Sequence, residues 1–166
     1  MHGSVCYDVG MDKSSICIMA LGLVGETDYS ADSQGWKSCE TYLPLAYREL
    51  LAAHDWSFAR RVVTLAKDDM GFKMPEDSLR VVELQGLRKW RICGRYIMDD
   101  GDGTAKEVKL YYTSGSMASR GDVPGQQPQF VKCLVTRLAA YLAVPVGGDQ
   151  NVRLGLEQEY RTLLEA

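Results

Sequence analysis

Few residues of this chain have the types and spacing for chemistry. His54 stands beside Asp55, a general base next to a carboxylate. Adjacent residues in a helix do not face each other, and no Gly-x-Ser-x-Gly elbow supplies a nucleophile. His54 therefore reads as a helix-terminal imidazole near the C-terminal dipole, and the other histidine is His2. Asp100-Gly-Asp-Gly103 has the flavour of a calcium loop, but Tyr111 stands where such a loop needs its bidentate glutamate, so a hairpin turn is expected. Arg120-Gly-Asp122 matches a short adhesion tripeptide, but such triplets occur by chance and the loop composition around it suffices to explain it. There is no P-loop or dinucleotide fingerprint. This reading assigns no catalytic residue, no metal ligand and no cofactor, and it expects no enzyme activity.

Basic and aromatic residues are interleaved further along: Arg88, Lys89, Arg91, Arg95, Lys106 and Lys109 near Trp90, Tyr96, Tyr111 and Tyr112. That mixture suits a single-stranded nucleic-acid platform. Alternation from Lys89 to Asp99 puts Trp90, Ile92, Tyr96 and Met98 on one strand face and Arg91, Cys93 and Arg95 on the other. The expectation is that the aromatics face a core and the basic residues face water, with Gly94 marking a bulge. A formal net charge of −3 advertises no grip on phosphates.

The elements that must position these residues belong to a globular chain: 166 residues, 46% hydrophobic and 25% charged. Cys6, Cys17, Cys39, Cys93 and Cys133 are odd in number and scattered, which indicates neither a zinc site nor a disulfide framework. Cys17, Cys39 and Cys133 sit on apolar helix faces as small hydrophobes, pointing to synthesis in a reducing compartment. The apolar run Ile16–Val24 is too short to span a bilayer and lacks a signal-peptide start, so no membrane partner is expected.

Residues 1–11 lack periodicity and read as a leader. A helix capped by Asp12 or Ser14 is expected through about Leu23, with Ile16, Met19, Ala20 and Leu23 inward. A long helix capped by Asp32 or Ser33 carries the stripe Trp36, Cys39, Leu43, Ala46, Tyr47, Leu50 and Leu51, and Pro44 is expected to kink it. Trp56 and Phe58, two apart, would share one side of an extended chain before a strand begins at Arg61. Lys67–Phe72 reads as a turn, and residues 60–113 as an antiparallel sheet of three to five strands. Val108, Leu110 and Tyr112 point inward on the return strand. Residues 113–127 read as a flexible loop. Pro128 opens a helix bearing Phe130, Leu134, Leu138, Tyr141 and Leu142, and Asp149 caps a last one bearing Val152, Leu156, Tyr160, Leu163 and Leu164. Four apolar stripes can satisfy one another. The expected fold is therefore α+β: a single domain with a four-helix bundle (about 12–58 and 128–166) and a small antiparallel sheet inserted between the second and third main helices (about 59–127).

Several motifs, in order, resemble one family. Leu50, His54, Trp56, Phe58, Ala59 and Leu65 are similar to the helix-and-aromatic signature of the tail tubular protein A family, the head-to-tail adaptors or gatekeepers of short-tailed phages. Ser14–Glu26 resembles that family's opening helix. Lys73–Leu84 resembles its Leu-Pro-x-Asp-x-Leu-Arg-Val element, with Met74 in place of the leucine. Leu134, Leu138, Ala139, Leu142 and Ala143 match its later Leu/Ala helix. The resemblance covers roughly residues 14–166, departing at Pro44 and in the short stretch from Tyr112 to Phe130. It implies a non-enzymatic virion protein at the head–tail junction, made in the host bacterial cytoplasm. It further implies a dodecameric ring between portal protein and tail nozzle protein, with DNA passing through without sequence-specific binding. Trp56, Phe58 and Ala59 are then the structural junction between bundle and sheet. Head-to-tail contacts need two different surfaces per subunit. The candidates are the mobile loop, with Ser116, Met117, Arg120 and Gln126, and the last helix, with Arg153, Tyr160 and Arg161. The alternative is a small nucleic-acid-binding module using the basic and aromatic sheet.

Overall fold

A computed structural model of the chain describes residues 11–166; the expected leader, with His2 and Cys6, falls outside the described residues except for Met11. Among the described residues the fold is mixed α+β, with five α-helices and a six-stranded antiparallel sheet. It divides into two compact units: the chain up to Leu50 together with Ala118–Ala166, which is helical, and Leu51–Met117, which holds the sheet.

In the helical unit, α1 (Lys13–Leu23) starts where the Asp12 carboxylate accepts from the Ser15 amide at 2.8 Å and its hydroxyl at 2.9 Å. It buries Ile16, Cys17, Ala20 and Leu21, and leaves Met19 and Leu23 exposed, contrary to expectation. The segment is apolar nearly all round, so periodicity could not select the inward face. The next helix, α2 (Gln34–Ala53), is capped by Ser33, whose hydroxyl accepts from the Trp36 amide at 3.1 Å. Its stripe of Cys39, Leu43, Ala46, Tyr47, Leu50 and Leu51 is buried as expected, while Trp36 is half-buried. The helix runs through Pro44, whose ring sits on the exposed side, where the freed carbonyl one turn back can be solvated.

In the sheet unit, a single 3₁₀ turn at Ser57–Ala59 leads into β1 (Arg60–Asp68), followed by β2 (Gly71–Lys73), β3 (Ser78–Gln85), β4 (Trp90–Cys93), β5 (Tyr96–Asp99) and β6 (Glu107–Ser114). The spatial order is β3-β6-β1-β2-β5-β4. Leu65, Phe72, Met74, Ile97, Val108, Leu110 and Tyr112 form the sheet's own core, so Val108, Leu110 and Tyr112 face inward as read. Six strands replace the expected three to five, because the turn expected over Lys67–Phe72 is tighter than that span and Gly94 makes a turn in place of the expected bulge. Asp69 and Met70 alone separate the Asp68–Gly71 pair, which puts Phe72 in a strand and fully buried. Gly94 and Arg95 separate the Cys93–Tyr96 pair, so Gly94 (φ +58°) is the first residue of a two-residue turn rather than a bulge. Conversely, Asp99–Gly103 is no hairpin. It carries the chain from β5 past two strands to β6, held by the Asp99 carboxylate accepting from the Gly101 amide and that of Asp102 from the Thr104 amide.

The C-terminal part adds α3 (Ser116–Arg120), α4 (Pro128–Leu142, with Pro128 in its first turn) and α5 (Gln150–Glu165), capped by Asp149 as expected. The short α3 corrects the reading of 113–127 as loop throughout. Within the helical unit, Tyr47 donates its hydroxyl proton to the Asp122 carbonyl, and Arg48 reaches the Ser119 hydroxyl at 3.4 Å.

Candidate interaction surface

Arg137 organises the chemistry of the helical unit. It lies on α4 between Thr136 and Leu138, in a stretch that is otherwise nearly all buried. A charge there must be paired. Its guanidinium lies 2.8 Å from the Glu49 carboxylate on α2 and donates to the Tyr141 hydroxyl at 3.2 Å. The Tyr141 hydroxyl in turn donates to Glu49 at 2.6 Å. The guanidinium also lies over two rings, 4.5 Å from the centroid of Tyr141 and 5.2 Å from that of Tyr160 on α5. Burial is the largest single influence on the Arg137 charge and opposes it, but the hydrogen bond and charge of Glu49 together with Tyr141 outweigh it and hold the group above its ordinary value. Burial, followed by the hydrogen bond to Glu49, raises the Tyr141 phenol. Burial, then the Glu49 charge, pushes Tyr160 from 10.0 to about 12. Among the described residues, neither the Tyr160 hydroxyl nor the Arg137 Nε has a hydrogen-bond partner.

Two recesses open beside this network. One, of about 390 Å³, is walled by Tyr42, Tyr141, Arg137, Arg153 and Glu157. Tyr42 and Tyr141 stack there with centroids 5.4 Å apart and planes within 6°. The other, of about 240 Å³, is lined by Glu49, Arg137, Glu157, Tyr160 and Arg161. The structure thus gathers Arg153, Tyr160 and Arg161 on one charged, aromatic surface. Arg153 is paired with Glu157 at 3.0 Å, one helical turn on. Sequence reasoning missed Glu49, Arg137, Tyr141 and Tyr42. The available signal was an arginine inside an apolar helical stripe, but its partner lies far away in the chain.

A second surface of the same unit is apolar. Met19 and Leu23 of α1, with Val131 and Val135 of α4, line a recess of about 350 Å³ rimmed by Lys132 and Glu159. Ile18, also on α1, is 41% exposed.

The other candidates are dispersed. Ser116 and Met117 belong to the sheet unit, where the Ser116 amide donates to the Ser114 hydroxyl at 3.1 Å and that hydroxyl also donates to Asp77. Arg120 pairs with Asp122 at 3.0 Å, and Gln126 is exposed; neither lines the charged surface. At the expected junction, Ala59 is buried while Trp56 and Phe58 are half-buried. The 3₁₀ turn replaces the extended chain there, yet the two rings still meet at 6.0 Å, and His54 sits edge-on to Trp56 at 4.9 Å. Asp55 pairs with Arg60.

The expected burial of Trp90 fails: it is 38% exposed, as is Ile92 at 48%. With the chain reversing at Gly94, Trp90 and Ile92 share a face with Asp99 and Ile97, whereas Tyr96 and Met98 share the face of Cys93 and Arg91. Among the described residues no group of three His, Cys, Asp or Glu side chains could hold a metal ion, and no helix is long and apolar enough to cross a membrane. Comparison with known proteins adds no relative, since neither a family model nor a curated sequence matches this chain.

Proposed function

We propose that this chain is a non-enzymatic head-to-tail connector of a phage virion, assembling as a ring between portal and tail nozzle through which DNA passes. On this reading α1, α2, α4 and α5 make a four-helix bundle, and the six-stranded sheet is an insertion between the second and third of them. The observation that carries the reading is that one compact unit offers two chemically different surfaces: the charged, aromatic face around Arg137 and the apolar recess of α1 and α4. A head-to-tail ring joins one surface of each subunit to a different surface of the next, and exposed apolar area on a small unit marks an interaction face. The ordered motif resemblance supplies the identity of the assembly. Electron microscopy of the purified protein, alone and mixed with portal protein, tests this. Rings, free or on the portal, are expected; a persistent monomer that does not bind portal would overturn the connector.

The exposure of Trp90 beside Arg88 and Lys89 favours a second reading, in which the β4–β5 hairpin stacks single-stranded nucleic acid. Against it, Arg91 pairs with Asp100 at 3.4 Å and Arg95 is occupied by the Ser78 carbonyl at 3.2 Å. Titration with a single-stranded oligonucleotide at low salt separates the two, because salt-sensitive binding abolished by Trp90→Ala would favour the module.

A further inference from the structure

Cys17 and Cys39 were expected to be inert small hydrophobes, and both are buried, at 2% and 0% exposure. Their arrangement is more specific than packing requires. The Cys39 thiol of α2 donates to the Cys17 carbonyl oxygen of α1 at 3.9 Å, which places the two cysteines side by side. Cys17 also lines a recess of about 410 Å³ with Lys13, Glu40 and Trp36, wide enough for a small oxidant; Cys39 does not line it. Cys133, fully buried, is the contrasting thiol: among the described residues no other cysteine is paired with it.

We propose that Cys17 and Cys39 form an oxidisable dithiol that takes a small hydroperoxide as co-substrate and closes to a disulfide joining α1 to α2. Cys17 is the attacking thiol. It is the one of the two that lines the recess, and the neighbouring Cys39 thiol and the charge of Lys13 hold its pKa below the ordinary value, against burial and Glu40. Sulfur of the Cys17 thiolate attacks one peroxide oxygen. The O–O bond breaks, hydroxide (or alkoxide) leaves, and Cys17 becomes a sulfenic acid. Cys39 then loses its proton and attacks the Cys17 sulfur, forming the S–S bond as the sulfenic oxygen departs as water. With hydrogen peroxide the sum is two thiols and one peroxide giving one disulfide and two waters. The proposal is independent of the connector reading.

The test treats folded protein, with Cys6→Ser and Cys93→Ser to prevent links between chains, with hydrogen peroxide at neutral pH, followed by non-reducing peptide mapping. A cross-linked Cys17–Cys39 peptide lighter by two hydrogens is expected, forming at least about tenfold faster than any oxidation of Cys133. In a Cys39→Ser variant, dimedone should trap a sulfenic acid on Cys17. In Cys17→Ser, Cys39 should stay reduced. Circular dichroism confirms folding of each variant, and protein oxidised in urea serves as the positive control. No cross-link in folded parent protein, oxidation of Cys133 at a similar rate, or a sulfenic acid trapped first on Cys39 would each overturn the proposal.

Discussion

Arg137, Tyr141 and Tyr160 share one network but differ in what they stand to lose. The Tyr141 hydroxyl bonds to the Glu49 carboxylate and to Arg137, so Tyr141→Phe should destabilise by about 1–2 kcal/mol in urea unfolding, the scale of a bond to a charged group. The buried Tyr160 hydroxyl has no hydrogen-bond partner among the described residues. Tyr160→Phe is therefore expected to be neutral or stabilising by up to about 1 kcal/mol. The two substitutions delete the same atom type, so opposite signs would isolate the role of the partner. Tyr160 also sets an alkaline limit. Its folded value is raised from 10.0 to about 12, so between those values the unfolded chain has lost a proton that the folded chain keeps. The associated stability is fully present below 10.0 and is lost as pH rises through about 12. Tyr47, raised mainly by burial, acts in the same direction at higher pH. Unfolding free energies measured across that alkaline range should fall less steeply in Tyr160→Phe than in the parent.

At the scale of elements, the sheet turns on two glycines with different tolerances. Gly71 has φ +130°, and a Cβ there would meet the Ile97 carbonyl oxygen at 2.8 Å. Gly94 has φ +58°, with nothing within 4 Å of the added carbon. Gly71→Ala should cost about 1–3 kcal/mol or more, since backbone strain and a backbone clash combine, and Gly94→Ala only about 1 kcal/mol of left-handed strain. Thermal unfolding of both variants checks the ranking, and equal losses would contradict the β2–β5 register. In α2, Pro44 lies on the exposed side of a continuous helix. Pro44→Ala restores one backbone bond and is expected to stabilise by about 1–2 kcal/mol, part of the intrinsic penalty being offset by the freer unfolded chain.

For the whole molecule, the charged and apolar surfaces make a prediction that single-residue stability does not. Leu23→Glu places a charge in the exposed apolar recess of α1 and should leave folding intact, because Leu23 is already 49% exposed. It should block ring formation on the portal, as seen by electron microscopy and sedimentation. Rings formed undiminished by this variant would remove the apolar recess from the interface.

Local chemistry was legible in the residues themselves. Asp12, Ser33 and Asp149 start helices because a cap satisfies amides within its own turn, and Pro128 suits a first turn because its missing N–H would be unpaired there anyway. The stripes of α2 and α4 and the inward row Val108, Leu110 and Tyr112 follow from period alone. The face of α1 did not, because the segment is apolar on every side, nor did the split of Lys89–Asp99 into two strands, because a two-residue turn preserves alternation while exchanging faces. Strand order belongs to the same class: β5 and β6 are consecutive in sequence yet separated in the sheet by β2 and β1. The network of Glu49, Arg137 and Tyr141, and the meeting of Cys17 with Cys39, were decided only in three dimensions. Helix packing brings residues from distant parts of the chain within hydrogen-bond reach, and no local propensity records which polar or sulfur atoms will be left facing each other once the apolar stripes have been buried.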